Sequence, residues 1–471
     1  MLSIQDPRFS HDRRGFRRRE FLRVGGLGSL GLALSGLGAS PAKASGLKDF
    51  VKDKAVVFLF LGGGPSHIEL FDPKMTAPSE FRSITGEVKT VHPGVTFGGT
   101  FPRLAKLADK FSIVRSFQSR NGGHQYVAMT TAGNPLEAAF GAIYTGIAGR
   151  NHPETGMPMH TLVLPEAVPT KGFKIGRNFE TGHLPGLTQT GSLGPSHQAF
   201  SPDGKGPLQE NMQLTIPAER FSDRRSLLYQ LDQLRRGMES DGAMDRLDKM
   251  RQQAYQVVVG GASQAFDLSK EDPKTLAAYD TSHCFRNAEI QKWGDMRRST
   301  NLLGRQMLLA RRLVESGCGF VTVSDCGWDM HSNGNSPKGL AGMKWLGPQV
   351  DHAVSTFIED CEARGLRDKV LLVVTGEMGR TPRINKNGGR DHYGDVTPLL
   401  VYGGGLQMGR VIGQTDANAT RPATEPYNPS HLMSTIMHSV FDLGRMRLDP
   451  GLSRDLGNVA QSGNPILPLM S

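Results

Sequence analysis

Cysteine is scarce in this 471-residue chain, and its four cysteines, Cys284, Cys318, Cys326 and Cys361, form no Cys-x-x-Cys pair. That spacing excludes a cysteine-ligated zinc cluster and a disulfide-dense scaffold. A Cys318–Cys326 disulfide and buried free thiols both stay open. Aromatic residues are only 7% of the chain, and no basic run interleaves with them as a groove for a phosphate backbone requires. Nucleic acid is therefore not an expected partner. Apolar runs are short of the roughly 18–20 residues that span a bilayer, which excludes a stable membrane anchor. With 21% charged residues and a mean hydropathy of −0.34, the chain is neither polytopic nor disordered. What is left is a globular protein with a large core.

The formal charge of +10 is unevenly placed, because half the surplus lies in residues 1–44. There a basic segment ending Arg17-Arg18-Arg19-Glu20-Phe21-Leu22-Arg23 precedes an apolar, glycine-rich stretch from Val24 to Ala39, then Ala42-Lys43-Ala44. This pattern predicts a signal peptide cleaved after Ala44, and the Arg-Arg-x-Phe-Leu order resembles the twin-arginine signal. The expected location is periplasmic or extracellular, with the twin-arginine translocase as a partner during export. Because that route carries folded proteins, the leader is also an indirect sign of a metal or cofactor.

Beyond the leader, continuous apolar runs recur at Ala55–Leu61, Phe111–Arg115, Gly319–Ser324, Val370–Thr375 and Pro398–Tyr402. Runs without polar alternation suit strands buried on both faces of a parallel sheet. Helical patterns lie between them, as at Val350–Arg364, where Val350, Val354, Phe357, Ile358 and Cys361 share one face and Gly365 is the expected stop. The fold class expected is α/β, a three-layer α/β/α sandwich with a mostly parallel sheet. Residues 145–220 are rich in Gly, Pro, His and Thr, and 224–315 are mostly helical, so about 145–300 reads as a loop-rich and helical insertion or cap on one domain of residues 45–471.

In open α/β sheets the ligand crevice lies beyond the carboxyl ends of the strands. Ligand-capable residues gather there five times: Gly62-Gly-Gly-Pro-Ser66-His67; Arg115 with the later His124; Asp325 through Asp329-Met330-His331; Glu377 through Arg380; and Gly388-Gly-Arg390-Asp391-His392. Each has a plainer reading. The glycines can serve turn geometry alone, His67 a structural role, Asp329 and His331 an ordinary hydrogen bond. Asp391-His392 can be a loop dyad, and Glu377 a partner for Arg380. Together, carboxylates and imidazoles in this number suit one or more divalent ions. No Gly-x-Ser-x-Gly elbow supports a serine triad.

Gly-Gly-Pro-Ser-His (63–67), Phe71-Asp-Pro-Lys74, Ala310-Arg-Arg-Leu-Val-Glu315, Gly327-Trp-Asp-Met-His331, Gly376-Glu-Met-Gly-Arg-Thr-Pro382, Gly389-Arg-Asp-His392 and Gly403-Gly-Gly405 occur in this order. In them, from about residue 45 to the end, the chain resembles the exported family called domain of unknown function 1501, grouped with the alkaline phosphatase and sulfatase superfamily. The resemblance implies an alkaline phosphatase-like fold and a two-metal hydrolase ancestry. By position, Asp329 and His331 resemble the Asp-plus-His ligand segment of alkaline phosphatases. Glu377 stands where their Asp-His pair is, and His392 resembles their later single His ligand. His124 opens a predicted helix (Gln125 to Thr131) where those enzymes carry a nucleophile, with Ser119 nearby. The chain departs from the pattern in having no acidic pair after its first strand. It also lacks a Cys/Ser-x-Pro-x-Arg motif, which argues against a formylglycine sulfatase.

The expected function is an exported hydrolase of a small or polymeric phosphate or sulfate ester, dependent on divalent ions of Zn, Mn, Mg or Ca. Asp329, His331, Glu377 and His392 are the expected ligands, with Asp391 as ligand or support. Arg115 and Arg380 are candidate anion clamps. Ser66, His124 or a water is the nucleophile. The rival readings are a binding or structural protein on the same fold, recognising an anionic polysaccharide, and a non-hydrolytic metalloenzyme.

Overall fold

The computed structural model describes residues 47–170, 174–202 and 262–470. The signal peptide expected over 1–44 and the helical pattern at 225–235 lie outside the described residues.

The five apolar runs form five strands of a seven-stranded sheet, β1 (Ala55–Gly62), β2 (Phe111–Val114), β4 (Phe320–Cys326), β5 (Val370–Thr375) and β6 (Leu400–Gly403), and two short strands that no run marked, β3 (His160–Val163) and β7 (Val411–Ile412), complete it. Their order across the sheet is β7-β2-β6-β5-β1-β4-β3. β1 pairs in parallel with β4 and β5, β3 with β4, and β7 with β2. Only β6 runs antiparallel to its neighbours β5 and β2. The chain leaves β5 and enters β6 with no crossover helix between them. It returns from the same end of the sheet, so β6 has to run the other way.

Alternation along β1 explains the layers. Val57, Leu59 and Leu61 enter one core, beside Leu303, Met307, Val350 and Phe357. Val56, Phe58 and Phe60 enter the other, beside Phe140, Ile143, Leu432 and Ile436. The helices α1 (Phe140–Ala148) and α4 (Pro429–Val440) thus cover one face, and α2 (Leu303–Glu315) and α3 (Met343–Ala363) cover the other. The result is the expected three-layer sandwich. α3 begins earlier than the apolar pattern indicated, because Pro348 is accommodated within the helix. Gly365, at φ +66°, follows its end as expected.

The loop-rich stretch 145–300 supplies β3, an edge strand of the main sheet, as well as short helical turns. All four cysteines are free thiols, three of them buried. Among the described residues no helix is long and apolar enough to cross a membrane.

His160, the first residue of β3, is fully buried, with Nε2 3.2 Å from Thr322 Oγ1 on β4. It packs against Gly141 of α1, where an added Cβ would lie 2.4 Å from the ring, so a helix glycine is needed for this approach. Burial pulls its pKa down to about 3 from 6.5. A base with a depressed folded pKa stabilises the fold fully above its unfolded value and loses that contribution as acid is added. The His160 contribution to stability against urea should therefore be level above about pH 6.5 and shrink towards pH 4, so that His160→Gln loses less stability than the wild type between pH 6.5 and pH 4. An identical pH slope in the variant would remove His160 as the cause. Gly141→Ala should cost about 1–3 kcal/mol by overpacking, read from the same denaturation curves.

Candidate metal centre

The parallel strands β1, β4, β5 and β2 all end on one side of the sheet. Antiparallel β6 starts there, so the loop that precedes it, carrying His392, arrives at the same edge. Backbone packs directly on backbone at this edge: a Cβ on Gly63 (φ +111°) would lie 2.5 Å from the Asp329 amide nitrogen. Trp328 anchors the segment after β4, buried and donating from Nε1 to Asp325 Oδ2 at 2.9 Å. Its neighbours Asp329 and His331, two residues apart, project into the crevice together.

Asp329 is the centre of the site and is buried. Its Oδ1 is 3.1 Å from His392 Nε2 and is paired with the Arg380 guanidinium. Its Oδ2 is 3.2 Å from His331 Nε2, 3.4 Å from His124 Nε2, and accepts from Asn335 Nδ2 at 3.1 Å. Glu377, fully buried, sits behind His124: its Oε1 is 2.8 Å from His124 Nδ1 and accepts from the Gly63 amide at 3.0 Å. A carboxylate on Nδ1 fixes the ring's tautomer and turns Nε2 towards Asp329. Phe179 lies against the His124 ring at 4.1 Å between centroids, with His392 at 4.5 Å.

The charges are strongly coupled. Burial opposes a charged His124, but Asp329 and Glu377 outweigh it and raise its pKa to about 9. Burial likewise opposes ionisation of Asp329, yet His124, His331, His392 and Arg380 hold its carboxyl well below the usual range. Asp295 is the counterpart: burial, then the neighbouring Asp329 carboxylate, push it up to about 6.

Two sets of potential ligand atoms lie within 4.8 Å of one another: His124, Asp329 and His392, and Asp295, Asp329 and His331. These residues fit a divalent ion. Three imidazole nitrogens converge on one buried carboxylate, and the buried Asp295 Oδ2 has no hydrogen-bond partner. Nitrogen and oxygen donors in this mixture suit Zn²⁺ or Mn²⁺.

The sequence candidates thus divide. Asp329, His331, His392 and His124 are brought together, and Glu377 joins them through His124 rather than through Arg380. Asp391 is exposed and accepts from Asn385 Nδ2 at 2.8 Å, pointing to a loop contact. Ser66 is buried as the cap of the short helix His67–Leu70, with Oγ accepting from the Glu69 amide at 3.4 Å. Ser119 is buried too, its Oγ accepting from the Asn121 amide. Arg115 donates to the Phe71 and Thr96 carbonyls. Arg380, buried, spends its donors on the carbonyls of Gly63, Gly64, Trp328 and Arg390 as well as on Asp329. It is a cross-tie between strand ends. His67 is buried with Nε2 on the Ala419 carbonyl. Burial lowers its pKa to about 4, which suits the structural reading. Asp295, Phe179 and His183 were not anticipated, because they lie in the middle stretch where no periodicity or motif marks them.

Residues 53–466 match the family described as Protein of unknown function (DUF1501). The chain belongs to that family. No curated protein matches it. Among solved structures, it is similar to the phosphonate monoester hydrolase SpPMH from Silicibacter pomeroyi, at 12% identity and TM-score 0.32, covering 88% of this chain and 76% of that one. The lipoteichoic acid synthase LtaP from Listeria monocytogenes is similar at 8% identity and TM-score 0.32, covering 94% and 81%. Ps i-CgsB, in complex with k-i-k-neocarrahexaose, is similar at 10% identity and TM-score 0.29, covering 84% and 74%. The architecture and the site rest on this chain's own sheet order and contacts.

Removing one partner of a buried ion pair strands the other, at about 3–5 kcal/mol. Arg380→Met should therefore lower stability in urea by about that much, whereas Asp391→Asn, at the exposed loop contact, should change it by less than about 0.5 kcal/mol. A loss below about 1 kcal/mol for Arg380→Met would show that the strand ends do not depend on this tie.

Proposed function

We propose that this member of the DUF1501 family is an exported, metal-dependent hydrolase of phosphate or sulfate esters, with its site at His124, Asp329, His331 and His392. The observation that carries the reading is the convergence of three imidazoles on one buried carboxylate at the carboxyl ends of the strands. Residues 1–44 would be its twin-arginine signal peptide and 45–471 the mature domain.

A divalent ion held there supplies a Lewis acid for the oxygens of a tetrahedral anion. The chain's own residues supply the rest. Glu377 holds His124 in the tautomer that presents Nε2. Arg380 keeps Asp329 ionised and fixes the loop after β1 against the loop after β4. Phe179 covers the His124 ring and limits water on that side. Ser66 is committed as a helix cap, so water is the proposed nucleophile. His183 is exposed, 6.2 Å from His124 between centroids, and has no contact with Asp329. It is the imidazole at the rim placed to exchange a proton with the leaving group or with solvent.

The absence of a carboxylate at the end of β1, where Gly62, Gly63 and Gly64 stand, favours the second reading, a non-catalytic binding protein for anionic polysaccharide. Hydrolysis decides between them. The mature protein should cleave an aryl phosphate or aryl sulfate, lose that activity on chelation, and regain it with Zn²⁺ or Mn²⁺. Glu377→Gln should weaken metal affinity about 10–100-fold, and His183→Ala should lower kcat about 10²–10⁴-fold with metal content unchanged. Full metal occupancy without turnover of either ester class would overturn the hydrolase and leave the binding protein.

A further inference from the structure

We propose that the loops beside the crevice form a subsite for a polymeric substrate, a glycan carrying sulfate or phosphate esters, with Trp293 and Trp345 against a sugar ring and exposed cations on its ester groups. The inference names the substrate class for the hydrolase reading above and rests on that reading for the reacting end of the polymer.

Three segments meet beside His331. The first, residues 291–298, holds Trp293 and the 3₁₀ turn Asp295–Arg298. The second runs from His331 into the first turn of α3, which carries Trp345. The third is the loop 381–391, just before His392. Hydrogen bonds fasten them into one surface. The Gly294 amide donates to the Gly334 carbonyl at 2.9 Å, the Leu340 amide to the Gly388 carbonyl at 3.1 Å, and Asn385 Nδ2 to the His331 carbonyl at 2.9 Å. A Cβ on Gly339 would lie 2.4 Å from the Gly389 Cα, so these loops touch backbone to backbone. The surface is continuous with the crevice, because His331 belongs to it and lies 3.2 Å from Asp329.

Its charge is one-sided. Lys292, Arg297, Lys338, Lys344, Arg383 and Lys386 are exposed, and none of them forms an ion pair among the described residues. The acids on these segments are Asp295 and Asp391. The first faces Asp329 and the second accepts from Asn385, while Glu289 alongside is taken by Arg286. Like charges left unpaired on tied loops repel one another, and a polyanion relieves that repulsion.

The chain has three tryptophans. Trp328 is buried with its indole N–H spent on Asp325. Trp293 and Trp345 are half-buried with ring centroids 5.7 Å apart, and neither indole N–H has a protein acceptor among the described residues. Lys292 Nζ stands 4.4 Å from the Trp293 centroid, and Lys344 Nζ 4.4 Å from that of Trp345. Each ammonium is thus held on an indole face that positions it without neutralising it. The pair offers a short apolar wall, two free N–H donors and two cations, which suit the apolar face of a pyranose, its hydroxyls and its ester anions in turn. A nucleobase needs an open ring face to stack on, and here the lysines and the core behind the rings take up those faces.

The test is binding of dextran sulfate, a phosphomannan, neutral dextran and a single-stranded oligonucleotide to the mature protein, followed by calorimetry and tryptophan fluorescence, with aryl ester hydrolysis measured separately. At least one anionic glycan should bind, shift the tryptophan emission and weaken as salt is raised, and the tighter of the two identifies the ester. Neutral dextran should not bind. Lys292→Gln combined with Lys344→Gln, both at exposed positions, should weaken glycan binding about tenfold. Trp345→Leu should weaken it by a similar factor, and the lysine variant carries the test if the tryptophan variant does not fold. No binding of either anionic glycan, unchanged affinity in the lysine variant, or an oligonucleotide bound as tightly as the glycan would overturn the subsite and leave the hydrolase to be judged on the aryl esters. Glycan binding that needs the two lysines, in a protein that cleaves no ester, would overturn the hydrolase and leave the subsite standing.

Discussion

The Arg380–Asp329 contact is the interaction on which the rest of the site depends. Asp329 is a buried carboxylate, and a buried charge is tolerated only when paired and hydrogen-bonded. Arg380 supplies the opposite charge and, with its remaining donors, takes the carbonyls of Gly63, Gly64, Trp328 and Arg390. One side chain from the β5 end thereby ties down the loops after β1 and β4 and the loop before β6. Those segments carry Asp329, His331 and His392. Arg390 repeats the device one layer away, fully buried against Glu69 at 3.1 Å and bonded to the carbonyls of Phe81 and Arg82.

Much of the fold was legible because its physics is periodic. Unbroken apolar runs mark doubly covered strands, and the helical stripe of α3 marks its buried face. The exception was β6, whose direction follows from the lack of a crossover and not from its own residues. β3 and β7 were missed because four residues, His160–Val163, and two, Val411–Ile412, are too few to carry a pattern.

The residues that gather in the candidate site were legible where ligand types sit just past a strand, as Asp329, His331 and Glu377 do, and in the loop between β5 and β6 that carries His392. Roles were harder to read than positions. Glu377 has the chemistry of a ligand, but burial and the Gly63 amide place it behind His124. Arg115 and Arg380 have the chemistry of anion clamps, yet backbone carbonyls absorb their donors. Such commitments depend on long-range contacts that no local sequence window contains. Asp295 and Phe179 show the same limit from the other side, since only the packing of the middle stretch brings them to the crevice.

The most direct measurement is anomalous X-ray scattering from crystals of the mature protein grown with Zn²⁺. The account predicts a peak about 2.0–2.2 Å from His124 Nε2, His392 Nε2 and an Asp329 oxygen, with Glu377 still on His124 Nδ1. Crystals with no peak there, and with the three imidazoles still bonded to Asp329, would contradict it.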